Sequence, residues 1–168
     1  MTKLYIMCGL AFSGKSTLAR KIADYTDSKL VSFDKLWVEK QKEIPTPKNV
    51  KGWRYIRDIA KTEISTSLQS GQSVVFDDTN PRREHRDEFR IIATKMKVAC
   101  HVIYLNTPFA VIKTRQEMNK IEHNRHEVEP VDFDKVINDL EIPTADENTL
   151  IFTPEIASSQ SNLKNMLH

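Results

Sequence analysis

The run Leu4-Tyr5-Ile6-Met7-Cys8 passes without a break into Gly9-Leu10-Ala11-Phe12-Ser13-Gly14-Lys15-Ser16-Thr17, and this junction constrains the chain more than any other feature. The first five residues are continuously apolar, as a strand buried on both faces requires. The next eight fit G-x-x-x-x-G-K-[ST]. In that pattern the glycines let the backbone wrap an anion, while exposed amides and a helix start bind phosphate oxygens. The lysine reaches the outer phosphates and the hydroxyl ligates Mg2+. The chain has only 4 glycines in 168 residues, two of them here. Its composition gives roughly 0.001 chance matches to the pattern. Leu18, Ile22 and Tyr25 follow at helical spacing, so the loop lies between a strand and a helix. Residues Gly9 to Thr17 are therefore the expected phosphate cradle, with Lys15 on the outer phosphates and Ser16 on the metal.

The rest of the chain alternates short apolar runs with helical patterns. Leu30 to Phe33, Val74 to Phe76, Val98 to Leu105 and Leu150 to Phe152 read as further strands. Asp34 to Lys42 reads as a short helix, and Glu43 to Gly52, with Pro45 and Pro47, as a loop. Trp53, Ile56, Ala60, Ile64 and Leu68 repeat at helical spacing up to Gly71. Asn80-Pro81 predicts a helix with Asn80 as its N-cap. Pro108 to Ile121, Phe133 to Leu140 and the tail from Glu155 to Leu167 are the remaining helical stretches. Strands separated by helices predict an α/β protein, one domain over 1–168, with a parallel sheet covered on both faces. Ligands in such sheets bind at the carboxyl ends of the strands, which here means after Cys8, Phe33 and Phe76.

Composition removes other classes. Lys plus Arg total 25 against 23 Asp plus Glu, a net charge of +2, which does not describe a strongly basic nucleic-acid coat or a polybasic membrane anchor. No apolar run approaches the roughly 20 residues of a membrane span. Cys8 and Cys100 are too few for a disulfide framework or a zinc site and read as buried thiols of a reducing cytoplasm. His123 and His126 lack any accompanying ligand pattern for a metal.

Two further strand ends carry acids. Asp34 directly follows the second run, where a carboxylate either deprotonates an acceptor hydroxyl facing a γ-phosphate or caps the next helix. The third run ends in Asp77-Asp78-Thr79-Asn80. An acid at this place holds Mg2+, usually through water, and side-chain alternation lets only one of Asp77 and Asp78 face it. Thr79 and Asn80 cap the next helix in this reading, which does not exclude contact with an acceptor. Arg82, Arg86 and Arg90, with Arg83 beside them, either gather an anionic substrate or form a solvated mixed-charge face with Glu84, Asp87 and Glu88.

Together these residues resemble the P-loop kinases of the polynucleotide-kinase type and the small ATP-binding proteins grouped with them, from Leu4 to about Glu147. The marks are Gly9 to Thr17, Asp34, Asp78-Thr79-Asn80, and Arg125 five residues before Pro130. The resemblance implies a three-layer P-loop NTPase fold with strand order 2-3-1-4-5 and a small helical lid at about 115–131. It makes Asp34 the base, and puts Arg125, with Arg115, over the phosphates. Acceptor contacts fall on Asp34, Lys35, Thr79, Asn80, Arg82 and Arg83, with an acceptor-side segment at about 34–57. It also puts Pro143 to Glu147 near the adenine. The departures are Lys35 where such kinases carry an arginine soon after the base, a longer stretch between Arg115 and Arg125, and bulky Phe12 where a small residue is common. The expected activity is transfer of phosphate from ATP·Mg2+ to a hydroxyl of a small molecule or a nucleic-acid 5′ end. The alternative is an ATPase or ATP-binding regulatory module without an acceptor. Trp37, Trp53 and Tyr55 either stack on an aromatic acceptor or fill core.

Overall fold

A computed structural model describes residues 1–44, 50–122 and 130–167. Five parallel strands form one sheet: β1 (Lys3–Cys8), β2 (Lys29–Ser32), β3 (Val74–Asp77), β4 (Ala99–Leu105) and β5 (Thr149–Phe152). Their order is β2-β3-β1-β4-β5, as expected. Register aligns the carboxyl ends. Ser32 stands opposite Asp77, Cys8 opposite Tyr104, and Leu105 opposite Phe152.

Alternating side chains of β1 feed two cores. Leu4, Ile6 and Cys8 face α2 (Phe33–Lys40), α3 (Val50–Gln69) and α4 (Arg83–Lys95), which contribute Leu36, Ile56, Ala60, Ile64, Leu68, Phe89 and Ala93. Tyr5 and Met7 face α1 (Lys15–Thr26), with its Leu18, Ala19 and Ile22. The same face takes α7 (Pro154–Ser158) and α8 (Gln160–Leu167), which brings Leu163 and Leu167. A third, smaller cluster joins Ala11 and Phe12 of the loop after β1 to Ile112 of α5 (Phe109–Glu122) and Phe133 of α6 (Pro130–Asp139).

Two boundary expectations change and one open alternative is decided. Helix α3 begins at Val50 rather than after Gly52, because the barrier to helix is the proline pair and Gly52 lies buried inside the first turn. Ser32, not Asp34, caps α2: its Oγ accepts the Lys35 amide at 3.5 Å, which leaves Asp34 exposed in the first helical turn. Asn80 does not cap α4 either. That helix starts at Arg83 with no side-chain cap, and Asn80, at φ +40°, turns its side chain inward.

Candidate active site

The cradle begins where β1 ends. Gly9 takes φ +143°, and a Cβ there would come 3.0 Å from the Leu105 carbonyl oxygen, so only glycine fits. The loop then alternates: Phe12 and Gly14 have φ +62° and +102°, while Ser13 between them does not enter positive φ. Such alternation turns successive amides into one concavity, an anion nest, which runs into the amino end of α1. Lys15 is buried and its Nζ donates to the Leu10 carbonyl at 2.7 Å, spanning the loop's mouth. Ser13 Oγ is buried, its residue 1% exposed, and has no hydrogen-bond partner among the described residues. An orphaned hydroxyl, a buried lysine and a concave row of amides fit a nucleotide's phosphates.

Two elements hold this loop from outside. Arg115 Nη1 donates to the carbonyls of Phe12 (3.2 Å) and Ser13 (2.8 Å), and Thr107 Oγ1 donates to Ser13 O at 2.8 Å. Arg115, read from sequence as a phosphate-side arginine, thus grips the loop's own backbone. Arg125 lies outside the described residues.

At the next strand end, Asp77 is buried against Lys15 and accepts a hydrogen bond from the Ser16 hydroxyl. Burial pushes its carboxyl above the ordinary range. Lys15 and the Ser16 hydroxyl oppose that rise, while the charges of Asp34 and Asp78 add to it. Asp34 stands two residues beyond Ser32, the register partner of Asp77, so the two acids share one rim of the sheet. Asp78 points elsewhere. Its Oδ2 accepts from Arg57 Nη1 at 2.9 Å and its Oδ1 from the Thr79 amide at 2.7 Å. Ser16 and Asp77 are therefore the pair that fits Mg2+, and Asp78 is turned away from them by its ion pair. Among the described residues no cluster of three or more His, Cys, Asp or Glu side chains that could hold a metal occurs.

The Asp78-Thr79-Asn80 element is a buckle more than a pocket wall. Gly9 N–H donates to the Thr79 carbonyl at 3.1 Å, and Asn80 Nδ2 donates to the Met7 carbonyl at 2.9 Å. Asn80 is 0% exposed, which corrects its assignment to the acceptor: its amide tethers β3 to the start of the cradle. Arg57, which the sequence reading gave only as the end of the acceptor-side segment, closes the buckle from α3. It reaches Asp78, Asn80 Oδ1 (3.4 Å) and the His85 carbonyl (2.8 Å), with its guanidinium 5.0 Å from the Phe89 ring. Its only sequence signal is its position beside Ile56 at the margin of the apolar stripe.

The arginine-rich helix is committed to structure. Arg86 Nε and Nη2 fork onto Glu147 at 2.7 and 3.0 Å, both side chains 0% exposed, so neither substrate gathering nor a solvated face describes it. Arg82 pairs with Asp139 and Glu84, Arg83 with Asp146 and Asp87, and Arg90 with Asp87 and the Asp146 carbonyl. These bonds strap 139–147 along α4. The stretch Pro143 to Glu147, expected near the adenine, is thus bound to the arginines at the start of and along α4.

The AAA domain family AAA_33 matches residues 4–140. The chain belongs to that family. Comparison with curated proteins finds no match. Among solved structures, this AAA domain is similar to a sugar kinase from Janibacter sp. HTCC2649, with TM-score 0.69 and 20% identity over 99% of this chain and 93% of the other. It is also similar to the APS kinase CysC of Mycobacterium tuberculosis in complex with AMPPNP and APS (TM-score 0.69, 15% identity, 98% of both chains). Kti12 of Chaetomium thermophilum in complex with ADP-AlF3 gives TM-score 0.68 and 14% identity over 97% of this chain and 94% of that one. At these identities the likeness is one of fold, the P-loop NTPase sheet with helices on both sides.

In the segment expected to serve an acceptor, Lys35 is exposed beside Asp34. Trp53 stacks on Phe33 (5.0 Å, 14°) and Trp37 (4.6 Å, 24°) yet stays 44% exposed, so the aromatics of this segment are part core, part surface.

Proposed function

We propose that this protein transfers the γ-phosphate of ATP to a hydroxyl of a small molecule. The observation that carries the reading is the shared rim: Asp34, exposed and free of capping duty, beside the buried Lys15 and Asp77 and the half-buried Ser16. Mg2+, held through Ser16 and Asp77, would neutralise charge on the phosphates. Lys15 would follow the outer phosphate oxygens and the nest amides the inner ones. Asp34 would accept the acceptor's proton as its oxygen bonds to the γ-phosphorus and the bond to the β-phosphate oxygen breaks, releasing ADP.

A small acceptor fits better than a polynucleotide end. Arg82 and the three arginines of α4, which would meet a phosphate backbone, are already paired, and net charge is only +2. The two unpaired thiols, Cys8 and Cys100, suit a reducing cytoplasm. Among the described residues no helix is long and apolar enough to cross a membrane.

The test is ADP release from ATP·Mg2+ by wild type and Asp34→Asn across nucleosides, sugars, hydroxylated antibiotics and 5′-hydroxyl oligonucleotides. Acceptor-stimulated release that Asp34→Asn abolishes is the expected result and names the acceptor class. Equal, acceptor-independent release by both proteins overturns the kinase reading in favour of an ATPase or regulatory module.

A further inference from the structure

Phe12 sits in the one place of the cradle where the backbone turns left-handed and the residue is not glycine. An L side chain at φ +62° carries a penalty equivalent to about 5- to 30-fold in an equilibrium. Gly14, the other left-handed position of the nest, carries none. Without an opposing gain the loop would relax at Phe12, and relaxation there turns an amide out of the anion concavity.

The opposing gain is visible. The Phe12 ring is buried and meets Phe133 edge to face, centroids 6.3 Å apart at 64°. Both belong to the satellite cluster with Ala11 and Ile112, bordered by Leu10 and Ile137 and separate from the two cores of the sheet. The contact spans from residue 12 to residue 133, so it exists only when α6 is docked. Arg115, by gripping the carbonyls of Phe12 and Ser13, holds the same peptide units from their other side.

We propose that Phe133 is a positioning residue for nucleotide binding. Through the ring of Phe12 it holds the phosphate loop in its left-handed curvature, so the docking of α6 and the binding of phosphates form one linked equilibrium. The inference rests on the nucleotide-binding part of the proposed function and is independent of the acceptor. By reciprocity, a nucleotide that needs the curved loop also stabilises α6 on it.

A cycle of variants separates this from ordinary packing. Affinity for ADP·Mg2+ would be measured by calorimetry for wild type, Phe133→Ala, Phe12→Gly and the double variant, with Phe133→Leu as a folded, conservative control. Phe133→Ala is expected to weaken ADP about tenfold, the size of the left-handed penalty it uncovers. Phe133→Leu, which keeps apolar volume against Phe12, is expected to recover most of that loss. In the Phe12→Gly background, where the loop curves without strain, Phe133→Ala is expected to change affinity less than about twofold. Hydrogen exchange should show ADP protecting the amides of α6 in wild type and not in Phe12→Gly. Wild-type affinity in Phe133→Ala, or an equal loss in both backgrounds, overturns the proposal and leaves nucleotide binding standing. Failure of wild type itself to bind ADP overturns both.

Discussion

Arg86 and Glu147 allow a stability prediction worked almost entirely from geometry. The pair is bidentate at 2.7 and 3.0 Å with both side chains at 0% exposure, so neither charge has water as an alternative partner. Arg86→Leu fills a similar apolar volume and strands the Glu147 carboxylate, whose remaining donor is the Thr144 amide at 3.1 Å. Uncovering one member of a buried ion pair costs about 3–5 kcal/mol. For a chain of this size that lowers Tm by about 6–20 °C, and it removes a large part of a total stability of roughly 5–15 kcal/mol. The double variant Arg86→Leu, Glu147→Leu should recover most of the loss. The carbonyls that Arg86 also served keep other donors: Pro81 O has the Glu141 amide at 2.9 Å, and Asn80 O has the Cys8 thiol at 3.5 Å. The exposed Thr144 amide can turn to water. The assay is urea denaturation followed by circular dichroism for the wild type, both single variants and the double variant. A loss below about 1 kcal/mol in Arg86→Leu would refute the reasoning, since it would mean that the pair is hydrated in solution and that the strap of 139–147 on α4 is not held as described.

Three other outcomes follow from the same structure. Burial holds Asp77 above the ordinary carboxyl range, so the folded protein keeps that proton more tightly than the unfolded chain. Its ionised form therefore costs stability at neutral pH, and Asp77→Asn should raise Tm at pH 7 while removing Mg2+-dependent turnover; a lowered Tm contradicts the assignment. For Glu147, burial raises the carboxyl but is outweighed by the Arg86 hydrogen bonds and the Thr144 amide, leaving it below 4.5. Its stabilisation is present above that pH and lost as pH falls through the folded value, so the stability gap between wild type and Glu147→Gln should be widest above pH 4.5 and narrow on further acidification. A gap independent of pH argues against an ionised partner for Arg86. Finally, because the α4 arginines are paired, ADP release with the active acceptor should respond only weakly to salt between about 50 and 200 mM; a steep decline points to a phosphate backbone instead.

How far the chain could be read before folding depends on the range of each interaction. The strand–loop–helix at Lys3 to Thr26 is dictated by neighbours in sequence: apolar continuity makes β1, two glycines permit the turn, and the spacing of Leu18 and Ile22 makes α1. The alternation of strands and helices, the parallel sheet and the acids at two strand ends are local patterns of the same kind. Sheet order came instead from resemblance to known kinases, while Asp34 was read as a base from its place at a strand end beside the cradle. A cap was misjudged at Asn80, whose amide turns inward to the Met7 carbonyl, while at α2 packing chose Ser32 over Asp34. Side-chain partners were the least legible. Asn80 reaches Met7 across 73 residues, Arg86 reaches Glu147 across 61, and Phe12 meets Phe133 from the far end of the chain. No spacing in the sequence encodes those distances, because they arise only when separate elements dock on one sheet. Sequence by itself thus determined the glycine loop expected to cradle phosphates and the class of sheet beneath it, where backbone conformation answers to neighbouring residues. Tertiary structure alone decided that Asp77 rather than Asp78 turns to Ser16, that the α4 arginines serve the fold, and that an aromatic ring holds the cradle's curvature, because burial and pairing depend on what distant segments bring.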